Sequence, residues 1–190
     1  MAWRRSDEVE TDEHCTLAVR PVGLSLIGTV LGADGGAPVR IEYRVFADPI
    51  GLTTAAHVRD IRGFATRTVT LERDSKGGWT VDGAIARGLK GCTDVDLGCS
   101  PSTNTLPIRR LRLAIGQAQT IQAAWLRFPE LVVVKSAQTY TRLDESTYRY
   151  SSGTYEAELT VDVDGLVVTY AEWRRTGAAT SRDSPGEETT

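Results

Sequence analysis

The densest chemistry in the sequence lies in Lys90–Leu113, KGCTDVDLGCSPSTNTLPIRRLRL. It sets Cys92, Asp94 and Asp96 ahead of a turn-rich stretch, Cys99–Asn104, and follows that with Arg109, Arg110 and Arg112. Asp94 and Asp96 are two residues apart, so on an extended chain both carboxylates face the same way. Such a pair can hold a hard cation such as Mg²⁺ or Ca²⁺, and Asp-x-Asp pairs also serve sugar-nucleotide transferases. The spacing is common, and no nucleotide-binding β-α-β unit accompanies it, so no metal or cofactor is assigned. Cys92 and Cys99 have no His near them. Zinc sites use tighter Cys pairs and four ligands, so these cysteines read as small buried thiols.

The arginines give a second reading. If residues 106–113 form a strand, Arg109 shares a face with Leu111 and Leu113, while Arg110 and Arg112 share the other with Ile108. One guanidinium then sits on the apolar face and needs a carboxylate, with Asp94 or Asp96 the nearest in sequence. The pair is either a clasp tying the loop to the sheet or an anchor at the bottom of a cavity, gripping a ligand head group. Nucleophilic catalysis has less support. The histidines are His14, in an acidic stretch, and His57, and there is neither a Gly-x-Ser-x-Gly elbow nor a Gly-rich phosphate loop. Acid–base work could fall to Asp94, Asp96, Asp162 or Asp164. Asp162–Gly165 reads first as a hairpin turn, with Gly165 where φ is positive. Among the aromatics, Trp79, Trp125, Tyr148 and Tyr150 suit an amphipathic or sugar-bearing ligand, through apolar rings with a polar edge.

The elements that must position these residues are strands. Period-two alternation runs through Val39–Val45, Trp79–Asp82 and Tyr155–Val163. Further strands are expected at 22–31, 65–73, 106–113, 118–128, 130–142, 146–152 and 166–174. The short Gly, Pro, Asp and Ser gaps between them imply antiparallel hairpins. The helix candidates are weak: 52–61 and 82–90. About ten strands with one polar face must curl into a roll, barrel or sandwich to close a core, and such a sheet often encloses an apolar ligand. The expected division is a loose acidic segment at 1–16, a β domain at 17–175 and a disordered tail at 176–190.

The 190 residues carry 22 Lys and Arg against 25 Asp and Glu, a net charge of −3. Residues 1–14 and 176–190 are acidic, which leaves a weakly basic body. No basic block stands out, which argues against nucleic-acid binding. The apolar runs are too interrupted to span a membrane, and three cysteines make a poor disulfide framework. No basic stretch leads into an apolar run near the start, so a cytoplasmic, reducing setting is expected.

One resemblance draws these features together. Gly91–Leu97, Ser100–Leu111 (with Thr-Asn-Thr-Leu-Pro-Ile-Arg-Arg-Leu at its heart), Ala124–Leu131, Tyr148–Tyr150, Gly165–Tyr170 and the Gly78–Trp79 step resemble the bacterial proteins described as putative glycolipid-binding. The similarity covers roughly residues 20–175. It implies an all-β fold: a single antiparallel meander curled on itself into a spiral roll or half-barrel, akin in shape to bacterial lipoprotein carriers. It implies no catalytic residues. The shared motif residues matched here are Cys92, Asp94, Asp96, Asn104, Arg109 and Arg110.

The expectation is therefore a binding protein that holds the apolar part of a glycolipid or other lipid-like molecule inside the curled sheet. Its site residues would be Arg109, Asp94, Asp96, Trp79, Trp125, Tyr148 and Tyr150, and it would need no cofactor or membrane insertion. Two other classes stay open: a hydrolase or isomerase using Asp94 or Asp96 in a cleft, and a protein-interaction module working through a sheet edge.

Overall fold

A computed structural model describes residues 1–6 and 10–177. Among the described residues, fifteen strands form one sheet. The first eight are β1 (Ala2–Arg5), β2 (Thr11–Arg20), β3 (Gly23–Asp34), β4 (Ala37–Ala47), β5 (Thr53–Arg62), β6 (Ala65–Arg73), β7 (Trp79–Val81) and β8 (Ala84–Ile85). The remainder are β9 (Asp94–Leu97), β10 (Ala118–Arg127), β11 (Val132–Arg142), β12 (Thr147–Ser152), β13 (Tyr155–Val161), β14 (Val167–Tyr170) and β15 (Trp173–Arg175). The order across the sheet is β8-β7-β6-β5-β4-β3-β2-β1-β15-β14-β13-β12-β11-β10-β9. Two meanders, β1 to β8 and β10 to β15, thus join where β1 pairs with β15, Trp3 opposite Arg175. Every pairing is antiparallel except β9 with β10, which is parallel.

The sheet curls without closing. Edge strand β9 comes against the start of β5: Thr53 N–H donates to the Thr93 carbonyl at 3.0 Å, and Val95 N–H donates to Thr53 Oγ1 at 3.2 Å. What fills the curl is the chain itself. Residues 98–113 pass through it as a 3₁₀ turn, Ser102–Asn104, and then α1, Thr105–Leu111. Every residue from Ser100 to Ile108 is buried. The all-β, mostly antiparallel expectation holds, and the strand signals at β4, β6, β7, β10, β11, β12 and β13 fall where the alternation put them.

Several expectations need correction. Residues 106–111 belong to a helix and 112–113 to the irregular segment that leaves it, so this stretch is not a strand. In a buried segment this short, every side of the first turn meets protein, so apolar residues show no helical period. Pro107 lies in that first turn, where a missing N–H is harmless. The helix ends at Arg112, whose φ of 47° is left-handed. The candidate helix at 52–61 is β5. Its buried positions are Thr53, Ala56, Val58 and Asp60, and an acid in an inward position hid the alternation. Asp60 is accommodated there by Arg62 at 2.9 Å and Arg67 at 2.7 Å. The candidate helix at 82–90 is β8 and a 3₁₀ turn, Arg87–Leu89. The described part of 1–16 is not loose: β1 and β2 lie mid-sheet, with Trp3 1% exposed and its indole N–H donating to the Val167 carbonyl at 3.0 Å. The expected tail from 178 onward lies outside the described residues. The Asp162 turn forms as expected: its carboxylate accepts the N–H groups of Asp164 and Leu166, and Gly165 has φ 73°.

Candidate functional site

The seven site candidates separate into four places. Asp94 is 1% exposed and lines neither the cavity around Asp96 nor the groove around Arg109. It accepts from Arg110 Nη2 and from Thr93 Oγ1, the latter at 2.7 Å. The clasp between loop and arginine therefore exists, with Arg110 as its cation in place of Arg109. A helix sends consecutive side chains about 100° apart, so the two arginines diverge in a way that strand geometry does not predict. Burial raises the Asp94 carboxyl even though Arg110 opposes it. Trp79 is likewise buried, its N–H donating to the Cys92 carbonyl at 3.1 Å, and it borders a separate surface pocket beside β7 and β8.

Asp96, Trp125 and Tyr150 do meet. They line a cavity of about 530 Å³ with Asn104, Tyr155, Tyr170 and Trp173. Asp96 is half-buried in its wall. Gln138 Nε2 donates to Oδ2 at 2.6 Å, and Thr103 Oγ1 reaches Oδ1 at 3.5 Å. Desolvation pushes this carboxyl up to about 6, and the two donors offset only part of that effect. Tyr150 is the hub of the aromatic wall. It makes edge-to-face contacts with Tyr140, Tyr155 and Tyr170, with ring centroids 5.3, 6.1 and 5.8 Å apart. Trp125 is held against Gly98, where a Cβ would come within 2.9 Å of the indole nitrogen. Asn104 is fixed from below: its side-chain oxygen accepts from Tyr140 Oη at 2.7 Å, and its amide donates to the Pro101 carbonyl.

Behind this cavity lies a polar network that sequence reasoning missed. Glu13 of β2 is 2% exposed and accepts from Tyr43 Oη and, at 2.7 Å, from Ser100 Oγ. Ser102 Oγ lies 2.7 Å from Ser100 Oγ and 2.8 Å from Tyr43 Oη. Ser100 also lines the cavity, so it links the network to the site. Burial pushes the Glu13 carboxyl up to about 7, and its Oε2 has no partner among the described residues. Tyr43 lies flat across Gly28, its cross-strand neighbour. The available signal was the period-two spacing of Glu13 and Cys15, which the acidity of the surrounding stretch obscured.

Arg109 and Tyr148 lie elsewhere. They line a groove of about 1,110 Å³ formed by the β2–β3, β4–β5 and β13–β14 turns and by α1. Arg109 Nη1 donates to the Asp164 carbonyl, and Tyr148 stacks under Arg142 at 5.8 Å. Tyr148 and Tyr150, two apart on β12, share a face, yet they point into different cavities because these open at opposite ends of the strand.

Among the described residues, no three His, Cys, Asp or Glu side chains gather to hold a metal. The cysteines are unpaired thiols, and burial raises Cys15 to about 12 and Cys99 well above its ordinary value, which keeps them protonated at neutral pH. No helix among the described residues is long and apolar enough to cross a membrane.

Comparison with known proteins places this architecture. The crystal structure of a DUF1089 family protein from Pseudomonas aeruginosa is similar to this chain, with a TM-score of 0.74 and 34% identity over 83% of this chain and 88% of that one. No curated protein matches. A family model described as "Putative glycolipid-binding" matches residues 1–175, nearly the whole described body, including both cavities and the segment between them. The chain belongs to that family.

Proposed function

We propose that the protein binds the sugar portion of a glycolipid in the cavity around Asp96. The observation that carries this reading is the composition of the cavity wall. A half-buried carboxylate and an immobilised amide supply hydrogen bonds for hydroxyl groups, and Trp125, Tyr150, Tyr155 and Tyr170 supply apolar ring faces for C–H surfaces. Sugars present both kinds of surface at once. A volume of about 530 Å³ falls within the range of small-molecule sites, about 300–1,000 Å³. Adjoining methylenes of a lipid gain about 0.8 kcal/mol each when buried against those rings. The centre of the curl is filled by residues 98–113, so the apolar part sits in this end cavity and not in the middle of the sheet. The family description points to the same ligand class. We place the protein in the cytoplasm.

The test is native mass spectrometry of protein purified from its own host, paired with titration of octyl glucoside against tryptophan fluorescence. A retained glycolipid mass is expected, together with a saturable fluorescence change that Trp125→Ala and Asp96→Asn abolish while the melting temperature holds. A bare mass together with a flat titration overturns the reading.

One observation favours a second reading. A carboxyl near 6 facing a cavity is suited to proton transfer, so Asp96 is the residue on which an enzyme would rest. Ser100, a serine hydroxyl on the same wall, is already committed to Glu13 and Ser102. Consumption of the bound glycolipid during incubation, stopped by Asp96→Asn, would favour the enzyme.

A further inference from the structure

The groove at the opposite end carries a second inference, independent of the sugar cavity. Three hairpin turns project there, and each offers an aliphatic side chain to water: Val22 is 80% exposed, Ile50 71% and Val163 fully. Val19, Ile50 and Val163 all line the groove, which shows that the three turns converge on one rim. Among the described residues, Val163, Val22, Ile50 and Val19 are four of the five most exposed large aliphatic side chains, Ile85 of β8 being the other, and such a gathering marks a contact surface.

Charge at the same rim narrows the partner. Arg20, Arg109, Arg110, Arg112 and Arg142 line the groove with Glu145, Asp162 and Asp164. Arg110 is neutralised by Asp94, and Asp162 by Arg175 at 2.6 Å. Arg109 and Arg142 donate only to backbone carbonyls, which leaves their charge uncompensated. Arg20 and Arg112 are exposed and have no ion-pair partner among the described residues. Among the groove-lining side chains, four cations thus stand against two anions, in a protein whose net charge is −3. A protein partner would accept either feature alone. Projecting aliphatic tips with arginines set between them match a bilayer interface, where tips enter the acyl boundary and guanidinium groups meet lipid phosphates.

We infer that this rim docks the protein on the surface of an anionic membrane, through Val22, Ile50 and Val163 with Arg20, Arg109 and Arg112. The cavity around Asp96 then faces away from the bilayer, since it opens at the other ends of β12 and β14.

Co-sedimentation with large unilamellar vesicles tests this. The protein is expected to pellet with phosphatidylglycerol vesicles at low salt, to be released by high salt, and to stay in the supernatant with phosphatidylcholine alone. The double variants Arg20→Glu/Arg112→Glu and Val22→Asp/Val163→Asp are each expected to lower the bound fraction at least tenfold, with an unchanged melting temperature. Both pairs sit on exposed positions, so folding is spared. Trp125→Ala is expected to pellet like the parent, which separates this result from the fate of the sugar site. Absence of pelleting overturns the inference, as does equal pelleting of the variants or of phosphatidylcholine samples. Displacement by inorganic phosphate at constant ionic strength overturns it in favour of a soluble-anion site. A concentration-dependent dimer broken by Val22→Asp/Val163→Asp overturns it in favour of a second copy of the chain.

Discussion

The cavity around Asp96 and the groove around Arg109 sit at opposite ends of the same strands and are built in opposite ways. In the cavity, three polar groups of the wall are each held by another residue: Asp96 by Gln138, Asn104 by Tyr140 and Ser100 by Glu13. In the groove, aliphatic and cationic side chains stand out from turns, several without partners. The first arrangement is preorganised for a small ligand, because its donors and acceptors are fixed before anything binds. The second suits a broad, fluid surface, on which no single geometry is required. Both ends nevertheless depend on one segment. Residues 98–113 place Ser100 and Asn104 in the cavity, and Ile108, Arg109, Arg110 and Arg112 in the groove.

That shared dependence predicts the largest effect. Arg110→Ala leaves Asp94 buried without a cation, a loss of about 3–5 kcal/mol in comparable buried pairs. A large drop in melting temperature, with octyl glucoside and vesicle binding lost together, is expected by calorimetry and binding assay. Loss at only one end would show that the two are anchored separately.

Acidity separates the ends next. Glu13 is raised from 4.5 to about 7 and Asp96 from 3.8 to about 6, both chiefly by desolvation. A folded state that holds protons more tightly than the unfolded chain is most favoured below the unfolded values. It loses that advantage as pH rises through the folded ones. These two groups are therefore expected to make stability fall between about pH 4 and 7 and then level off. The loss from Glu13 is up to about 3 kcal/mol, because each tenfold difference in proton affinity between the two states is worth about 1.4 kcal/mol. Melting curves at pH 5 and pH 8 check this, and Glu13→Gln should flatten the difference. Both raised carboxyls lie at or behind the cavity, so the pH effect belongs to that end.

Gly98→Ala is a smaller and more local perturbation. The new Cβ would stand 2.9 Å from Trp125 Nε1 and 3.2 Å from the Leu126 carbonyl, so the indole must shift. Overpacking of this kind costs about 1–3 kcal/mol. Weakened octyl glucoside binding with vesicle binding intact is the expected signature. The smallest effect on folding belongs to Arg112→Glu. An exposed position away from packed features should move stability by no more than about 0.5 kcal/mol while reducing vesicle pelleting.

Legibility in the sequence followed the same division between strand and plug. Period-two runs such as Val39–Val45 marked strands because one face meets the core and the other meets water. Asp162–Gly165 marked a turn because its backbone needs those residue types. The segment 98–113 defeated the same reasoning, because a stretch buried on all sides has no polar face to report its period. Its misreading as a strand paired Asp94 with the wrong arginine. Glu13 was overlooked for a related reason: an acid among acids looks solvated until the strand that carries it is placed mid-sheet.

By itself, then, the sequence determined an all-β chain, its hairpins, its family, and the membership of Asp96, Trp125 and Tyr150 among the site candidates. These follow from local alternation, turn chemistry and motif spacing, which need no knowledge of distant contacts. Tertiary structure alone decided that Asp94 is a strut and Asp96 a wall of the cavity, that Tyr148 and Tyr150 serve opposite ends, and that Glu13 is buried. Each of those outcomes rests on partners far away in sequence, such as Glu13 with Ser100 and Asp96 with Gln138, brought together only when the sheet curls around its own connecting segment.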